Sequence, residues 1–165
     1  MTWWAPSVLS LPLLYKEGCG EVECLGEEYS YANIQEGLMR REVIQTEKAP
    51  RAIGPYEQGI KFSGLLFTSG QIAIDPATGK LIEGDVSAQT RRVLENLKAV
   101  LEAGGSSLDR VVKATVYLTD LSTFSKMNEV YAEYLGHVKP ARSTVGVAAL
   151  PLGASVEIDL VAIAE

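Results

Sequence analysis

Two charged side chains stand in the two most apolar C-terminal segments of this sequence. Arg142 lies in "PARSTVGVAAL" (140–150), and Glu157 lies in "SVEIDLVAIAE" (155–165). A guanidinium can bind a carboxylate through two parallel hydrogen bonds, and a carboxylate can take up and return a proton. The functional interpretation of the pair is a cleft lined by both charges, in which Arg142 binds a carboxylate at two points.

The same two residues also allow a purely structural interpretation. If their segments pair as a hairpin around "LPLGA", Arg142 and Glu157 are roughly equidistant from the turn and could form a salt bridge. Side chains alternate along a strand, so Glu157 shares a face with Asp159, and Arg142 shares a face with Thr144. The spacing alone leaves the salt bridge and the ligand-binding pair open.

Other polar candidates lie at the ends of predicted elements, where each alone is more typical of a structural role. They are Tyr56 after Gly-Pro, Ser69 before Gly70, and Asn128 in a predicted helix. His137, the sole histidine, follows a predicted helix end, where a cation is commonly structural. The body of the chain has no cysteine and no phosphate-cradling glycine motif, so we expect no transition-metal cluster, no Cys–His pair and no nucleotide site.

Composition and charge exclude several classes of function. The 165 residues are 47 % apolar and 22 % charged, as in an ordinary globular domain, and no apolar run is long enough to span a membrane. The net charge of −6 includes −5 within residues 1–38, from one Lys and six Glu, so the remainder is nearly neutral. Without a basic cluster, nucleic acid is not an expected partner. Both cysteines, Cys19 and Cys24, precede the body, which fits a reducing cytoplasm.

Residues 1–38 are predicted to be an extension separate from a single domain at 39–165. The extension sustains neither helical nor strand periodicity, and it lacks the basic start of a secretory signal. Codons for Gln35-Glu36-Gly37 can form a purine-rich ribosome-binding sequence just ahead of Met39. We therefore expect translation to begin naturally at Met39; a genuine but poorly structured tail is the alternative.

Patterning in the body predicts strands and two helices. A strand at 41–46 is followed by a hairpin that turns at Ser63-Gly64. A first helix is capped by Asp85 and ended by Gly104-Gly105, and a second helix runs from Ser122 to Gly136. Between the helices lies a strand in which Val112, Ala114, Val116 and Leu118 share one face, and the last two strands are at 142–149 and 155–164. This order predicts a two-layer α+β domain with a mixed sheet and both helices on one face. The other face would be uncovered, so we expect oligomerisation.

Four long motifs resemble the Rid family, also called YjgF/YER-type proteins, and in particular its RidA branch of reactive intermediate deaminases. They are "AIGPYEQG", "LLFTSGQIAIDPATG", "NLKAVLEAGGSSLDRVVKATVYLTDLSTFSKMNEVY" and "PARSTVGVAALPLGASVEIDLVAIA". The resemblance covers about residues 41–164. It implies a chorismate-mutase-like fold assembled as a homotrimer, with clefts between subunits. It also implies hydrolysis of reactive enamines and imines, such as 2-aminoacrylate, to 2-keto acids and ammonia without a cofactor.

The resemblance assigns a role to each matching position. Arg142 matches the arginine that clamps the substrate carboxylate, and Glu157 matches the acid that works on the hydrolytic water. The matching cleft residues are Tyr56, Ser69, Gly70 and Asn128. Thr144 departs from the cysteine of many members, so a thiol role there is absent and only its backbone is expected to contact ligand.

Two other functions remain open at this stage. A protein that binds 2-keto acids without turnover would use the same Arg142 clamp, and a chaperone-like interaction protein would need no turnover either. Hydrolysis of 2-aminoacrylate separates the enzyme from both.

Overall fold

The computed structural model describes residues 40–165, so the predictions for residues 1–38 and Met39 lie outside the described residues. The strands are β1 (Glu42–Ile44), β2 (Gly59–Phe62), β3 (Leu65–Thr68), β4 (Ile74–Asp75), β5 (Lys80–Leu81), β6 (Val111–Leu118), β7 (Ala141–Gly146) and β8 (Val156–Ile163). The α-helices of the described part are α1 (Val86–Ala103) and α2 (Phe124–Leu135).

One mixed sheet carries most of the strands, in the order β1-β2-β3-β8-β6-β7, and β4 pairs with β5 separately. Strands β6 and β7 run parallel, whereas the other neighbours run antiparallel. A parallel connection needs a crossover, which α2 provides. The predicted α+β domain with a mixed sheet and two helices is therefore confirmed.

Strands β7 and β8 do not pair with each other, because β6 lies between them. Ala114 of β6 faces Arg142 on one side and Leu160 on the other. The hairpin that the sequence left open for the last two strands therefore does not form. The chain returns from α2 beside β6 as its parallel outer neighbour, and β8 takes the inner place between β3 and β6.

Local signals for turns and caps are mostly confirmed. Ser63 and Gly64 have φ angles of 50° and 74°, the pair of positive values that a tight hairpin turn requires. Asp85 caps α1, where its Oδ1 accepts a hydrogen bond of 3.1 Å from the amide of Ala88. Gly104 ends that helix as predicted.

Two local predictions need correction. Ser122 does not cap α2: its amide donates to Asp120 across 2.9 Å in a 3₁₀ turn, and Thr123 is the residue that precedes the helix. Val112 does not share the buried face of β6. A bulge between Val111 and Lys113 shifts the alternation, so Val111 is buried and Val112 is exposed.

The helices cover one sheet face and leave the other open within the chain. Side chains of β8 alternate between buried positions such as Ile158 and partly exposed ones such as Asp159. Large apolar side chains between 38 % and 50 % exposed stand on the open face: Val43, Phe62, Phe67, Val145 and Ile163. The expected uncovered face is therefore present.

Candidate active site

The carboxylate of Glu157 rests directly on the backbone of Gly70. A Cβ atom on Gly70 would lie only 2.0 Å from Glu157 Oε1, so a glycine is needed there for the carboxylate to take this position. Two backbone hydrogen bonds hold the segments together: the amide of Gln71 donates to Ile158 across 2.9 Å, and the amide of Ile158 donates back across 3.1 Å. These two hydrogen bonds thus hold the backbone of Gly70 against the side chain of Glu157.

The surroundings of Glu157 favour its protonated form. The side chain is half-buried, and burial raises the pKa of this carboxyl above its ordinary value, with the charge of Asp159 raising the pKa further. Within residues 40–165 no salt bridge involves Glu157. A carboxyl group with a raised pKa and no cationic partner among the described residues gives up and takes up protons at higher pH than an ordinary surface carboxylate does.

Tyr56 and Ser69 line the same cleft as Glu157 and Gly70, a cavity of about 480 Å³. Tyr56 is 47 % exposed, and its hydroxyl accepts a long hydrogen bond of 3.4 Å from the amide of Ile53. The Ser69 hydroxyl donates to the carbonyl of Glu57 across 2.5 Å. Both residues thus line the cleft and are hydrogen-bonded to the backbone, whereas their contact with substrate stays a prediction.

Gln58 supports the wall of this cleft and was missed by sequence analysis. It is 3 % exposed, and its Nε2 donates to the carbonyls of Thr46, Ala49 and Pro50 while its Oε1 accepts from the amide of Thr46. One buried amide thus holds the loop that precedes β2. A polar residue shortly after Gly-Pro-Tyr was the available signal, but sequence alone does not show burial.

Arg51 and Leu152 also line the cleft without having been predicted. The Arg51 guanidinium is strongly exposed and lies 3.4 Å from Glu47. Leu152 stands in a 3₁₀ turn with a φ of 57°. Their types carry no catalytic signature, and only the fold brings the loops at 51 and 152 to one opening.

Arg142 lies on the opposite face of the sheet from Glu157. Its register partner on β6 is Ala114, whose own partner on β8 is Leu160, and both of these side chains point toward the helices. The Arg142 guanidinium lies over α2, 4.5 Å from the centroid of the Tyr131 ring and 5.7 Å from that of Phe124. The chain therefore presents Arg142 at the helix-side edge of β7.

Thr144 and Asn128 accompany Arg142 rather than Glu157. Thr144 follows Arg142 by two residues on β7 and points to the same face. Asn128 lies in α2 four residues after Phe124 and three before Tyr131, so it shares the helix face over which the guanidinium lies. Neither residue lines the cleft of Glu157.

The predicted site residues thus form two groups in the chain. We define the acid half as Tyr56, Ser69, Gly70 and Glu157, and the arginine half as Asn128, Arg142 and Thr144. Arg142 and Glu157 do not form the salt bridge that was the structural alternative. Their strands are separated by β6, and their side chains point to opposite faces of the sheet.

Residues 40–165 contain no cluster of three His, Cys, Asp or Glu side chains suited to a metal ion. His137 instead lies 2.6 Å from the Asp109 carboxylate at the exposed end of α2. Cys19 and Cys24 lie outside the described residues. In the part of the chain that the structure describes, no helix has the length and apolarity needed to cross a membrane.

A family model decides the relationship of this chain to known proteins. The model described as endoribonuclease L-PSP matches residues 46–164, which includes both halves of the site. The chain belongs to this family. The group is also known as the YjgF or Rid family, so the resemblance carried by the sequence motifs is confirmed.

The alignments with two curated members of the L-PSP family cover nearly the whole length of those proteins. A RutC family protein of Pyrococcus abyssi is 55 % identical over 127 residues, which cover 77 % of this chain and 100 % of that protein. The bovine 2-iminobutanoate/2-iminopropanoate deaminase is 44 % identical over 123 residues, which cover 74 % of this chain and 90 % of the bovine protein.

A solved structure of an L-PSP family member shares this fold. The crystal structure of Escherichia coli TdcF with bound serine is 43 % identical, has a TM-score of 0.71, and is matched over 75 % of this chain and 99 % of that one. That homologue therefore binds a small molecule with an amino-acid carboxylate.

Proposed function

We propose that this protein hydrolyses small 2-imino acids and their enamine tautomers, such as 2-aminoacrylate, to 2-keto acids and ammonia. The observation that carries the proposal is the Glu157 carboxyl group, half-buried over Gly70 with a raised pKa, in a cleft that also receives the Tyr56 and Ser69 hydroxyls. The bovine relative named as an imine deaminase supports the reaction class.

The reaction needs a group that accepts and donates protons, and a substrate that is held in one orientation beside this group. Once the enamine has tautomerised to a protonated imine, water adds to the imine carbon while Glu157 accepts a proton from that water. Glu157 then gives this proton to the nitrogen. The carbon–nitrogen bond breaks, ammonia leaves with the bonding electrons, and the ionised Glu157 takes the hydroxyl proton as the carbonyl forms. Because such imines already hydrolyse in water, orientation and proton transfer are sufficient.

Binding the substrate carboxylate is the proposed role of Arg142, which requires a second copy of the chain. Within one chain the arginine half faces the helices and the acid half faces the open side of the sheet. We propose that chains assemble through their open sheet faces, so that the arginine half of one copy completes the acid half of its neighbour. A closed homotrimer of chorismate-mutase-like architecture satisfies this arrangement.

Assembly is the first expected result. Light scattering at micromolar concentration should give a mass near three chains, because the exposed apolar side chains of the open face gain from burial. Substituting Phe67 and Ile163 with Ser should lower that mass. A stable monomer of the unsubstituted protein would contradict the assembly and the shared site.

Turnover is tested by competition for a freshly generated imine. A pyridoxal-phosphate dehydratase produces 2-aminoacrylate from serine, and semicarbazide traps the resulting imine before it hydrolyses. The active protein should divert imine to free pyruvate and so lower the yield of trapped product. Binding of pyruvate without diversion would instead support the alternative of a 2-keto acid binding protein, for which the bound serine of the E. coli homologue is the favouring observation.

The pH dependence of turnover should respond to Asp159. Its charge contributes to the raised pKa of Glu157, so Asp159→Asn should lower that pKa. If Glu157 must be ionised to accept a proton from water, activity is lost as pH falls through its pKa. The acid limb of the pH–rate profile should therefore move to lower pH in Asp159→Asn. Asp109→Asn, at the exposed pair with His137, is the control that should leave the limb in place.

A further inference from the structure

An aromatic cradle on α2 supports the Arg142 guanidinium. The centre of the guanidinium lies 4.5 Å from the Tyr131 ring centroid and 5.7 Å from that of Phe124, both within the range of a cation–π contact. Tyr131 is 5 % exposed and therefore fixed by the core, whereas Phe124 is 36 % exposed at the rim. The buried ring is the closer and the more rigid support.

This support leaves the arginine's hydrogen-bond donors available. Among residues 40–165 no salt bridge involves Arg142, so no carboxylate of that part of the chain occupies its fork of N–H groups. A ring face attracts the positive charge without accepting those hydrogen bonds as a carboxylate would. An arginine held by aromatic rings can therefore be fixed in place and still bind an external carboxylate at two points.

The Tyr131 hydroxyl also lies near the guanidinium: burial raises its pKa, and the charge of Arg142 acts on that pKa in the opposite direction. The hydroxyl is buried and makes no hydrogen bond of ordinary geometry in the described part of the chain. A phenylalanine at this position would keep the ring face and remove only the hydroxyl with its weak interaction with Arg142. The ring and the hydroxyl can thus be tested separately.

We propose that Tyr131 is the positioning residue for Arg142, with its ring holding the guanidinium in the orientation that receives the substrate carboxylate. The proposal rests on the proposed function, because it assumes that Arg142 binds this carboxylate. Tyr131 acts through Arg142 and is not assigned any contact with substrate. Phe124 provides a weaker and more exposed second contact.

Tyr131→Leu tests the proposal in the assembled, full-length protein. The dissociation constant for 2-ketobutyrate, measured by calorimetry, and the KM for the imine should each rise about threefold to thirtyfold, with kcat nearly unchanged. Tyr131→Phe keeps the ring and should retain most of the original affinity. A merely structural role would lower the amount of active protein, and therefore the apparent kcat, without changing KM.

Tyr134→Leu is the matched control on the same helix. The Tyr134 ring lies 5.9 Å from Arg91 on the outer surface, and its hydroxyl donates to Glu95, away from both halves of the site. The same change of side chain at this position should leave 2-ketobutyrate affinity unaltered. Equal losses of affinity in Tyr134→Leu and Tyr131→Leu would overturn the proposal.

Other outcomes also decide the proposal. Unchanged affinity in a folded Tyr131→Leu protein, or a loss in Tyr131→Phe as large as in Tyr131→Leu, would overturn it. If Tyr131→Leu does not fold, Phe124→Leu replaces it, since this ring is partly exposed; a small rise in the dissociation constant supports the cradle, and no rise refutes it. Arg142→Ala separates this failure from failure of the proposed function: it should abolish binding whether or not Tyr131 matters.

Discussion

Glu157→Gln should lower the rate of imine hydrolysis by roughly 10²- to 10⁴-fold while leaving 2-keto acid affinity nearly unchanged. The amide is almost isosteric with the carboxyl group, so it can keep its place over Gly70, where a Cβ atom would leave no room. It cannot take up a proton near neutral pH. Turnover, ligand affinity and melting temperature should be measured on this one variant.

Although Glu157→Gln should lower activity, it should not lower the stability of the fold. Burial raises the pKa of Glu157 in the fold, so folding opposes its ionisation and the ionised form destabilises the native state. Glu157→Gln should therefore leave the melting temperature unchanged or higher at neutral pH. Any gain should vanish as pH falls below the ordinary carboxyl pKa, where Glu157 is protonated in both states. Full turnover with lowered stability would reduce Glu157 to a structural role.

Arg142→Lys should lose most of the activity while the fold and the assembly survive. Lysine keeps the charge but loses the planar fork that meets a carboxylate at two points. Arg142 is exposed at the edge strand β7, so the change in unfolding free energy should stay within about 0.5 kcal/mol. Steady-state kinetics with 2-aminoacrylate and calorimetry with 2-ketobutyrate measure the two effects.

Arg51→Ala is the informative control for this substitution. Arg51 lines the same cleft as Glu157 within a single chain and needs no neighbour to reach it. Its exposed pairing with Glu47 indicates a weakly held side chain, so its removal should have little effect. If Arg51→Ala abolishes 2-keto acid binding and Arg142→Lys does not, the carboxylate clamp belongs to Arg51 and the shared site must be abandoned.

Sequence periodicity predicted which side chains share a face, but it did not predict which strands are neighbours. The alternation in β8 placed Glu157 with Asp159, and the alternation in β7 placed Arg142 with Thr144, as the structure has them. Pairing of β7 with β8 was only one possibility, suggested by their closeness in sequence. The actual neighbour of both strands is β6, a non-local choice that depends on the α2 crossover.

Sequence-based predictions of local structure were wrong where two nearby residues could fill the same role. Asp120 rather than Ser122 accepts the hydrogen bond at the turn before α2, because a carboxylate is the stronger acceptor of the two. Because of the bulge in β6, Val111 is buried in place of the predicted Val112. No turn residue in the sequence marks this bulge. Tyr131 lies within the predicted helix from Ser122 to Gly136 without any sequence signal of its own, and only the tertiary structure shows its contact with Arg142.

The division of the site between the two faces of one sheet has a genetic consequence under the proposed assembly. A chain with a damaged Arg142 still contributes a sound acid half, and a chain with a damaged Glu157 still contributes a sound arginine half. Two inactive alleles expressed in one cell would therefore complement each other. With random mixing, about a quarter of the clefts would unite two undamaged halves, although neither allele alone encodes a working enzyme.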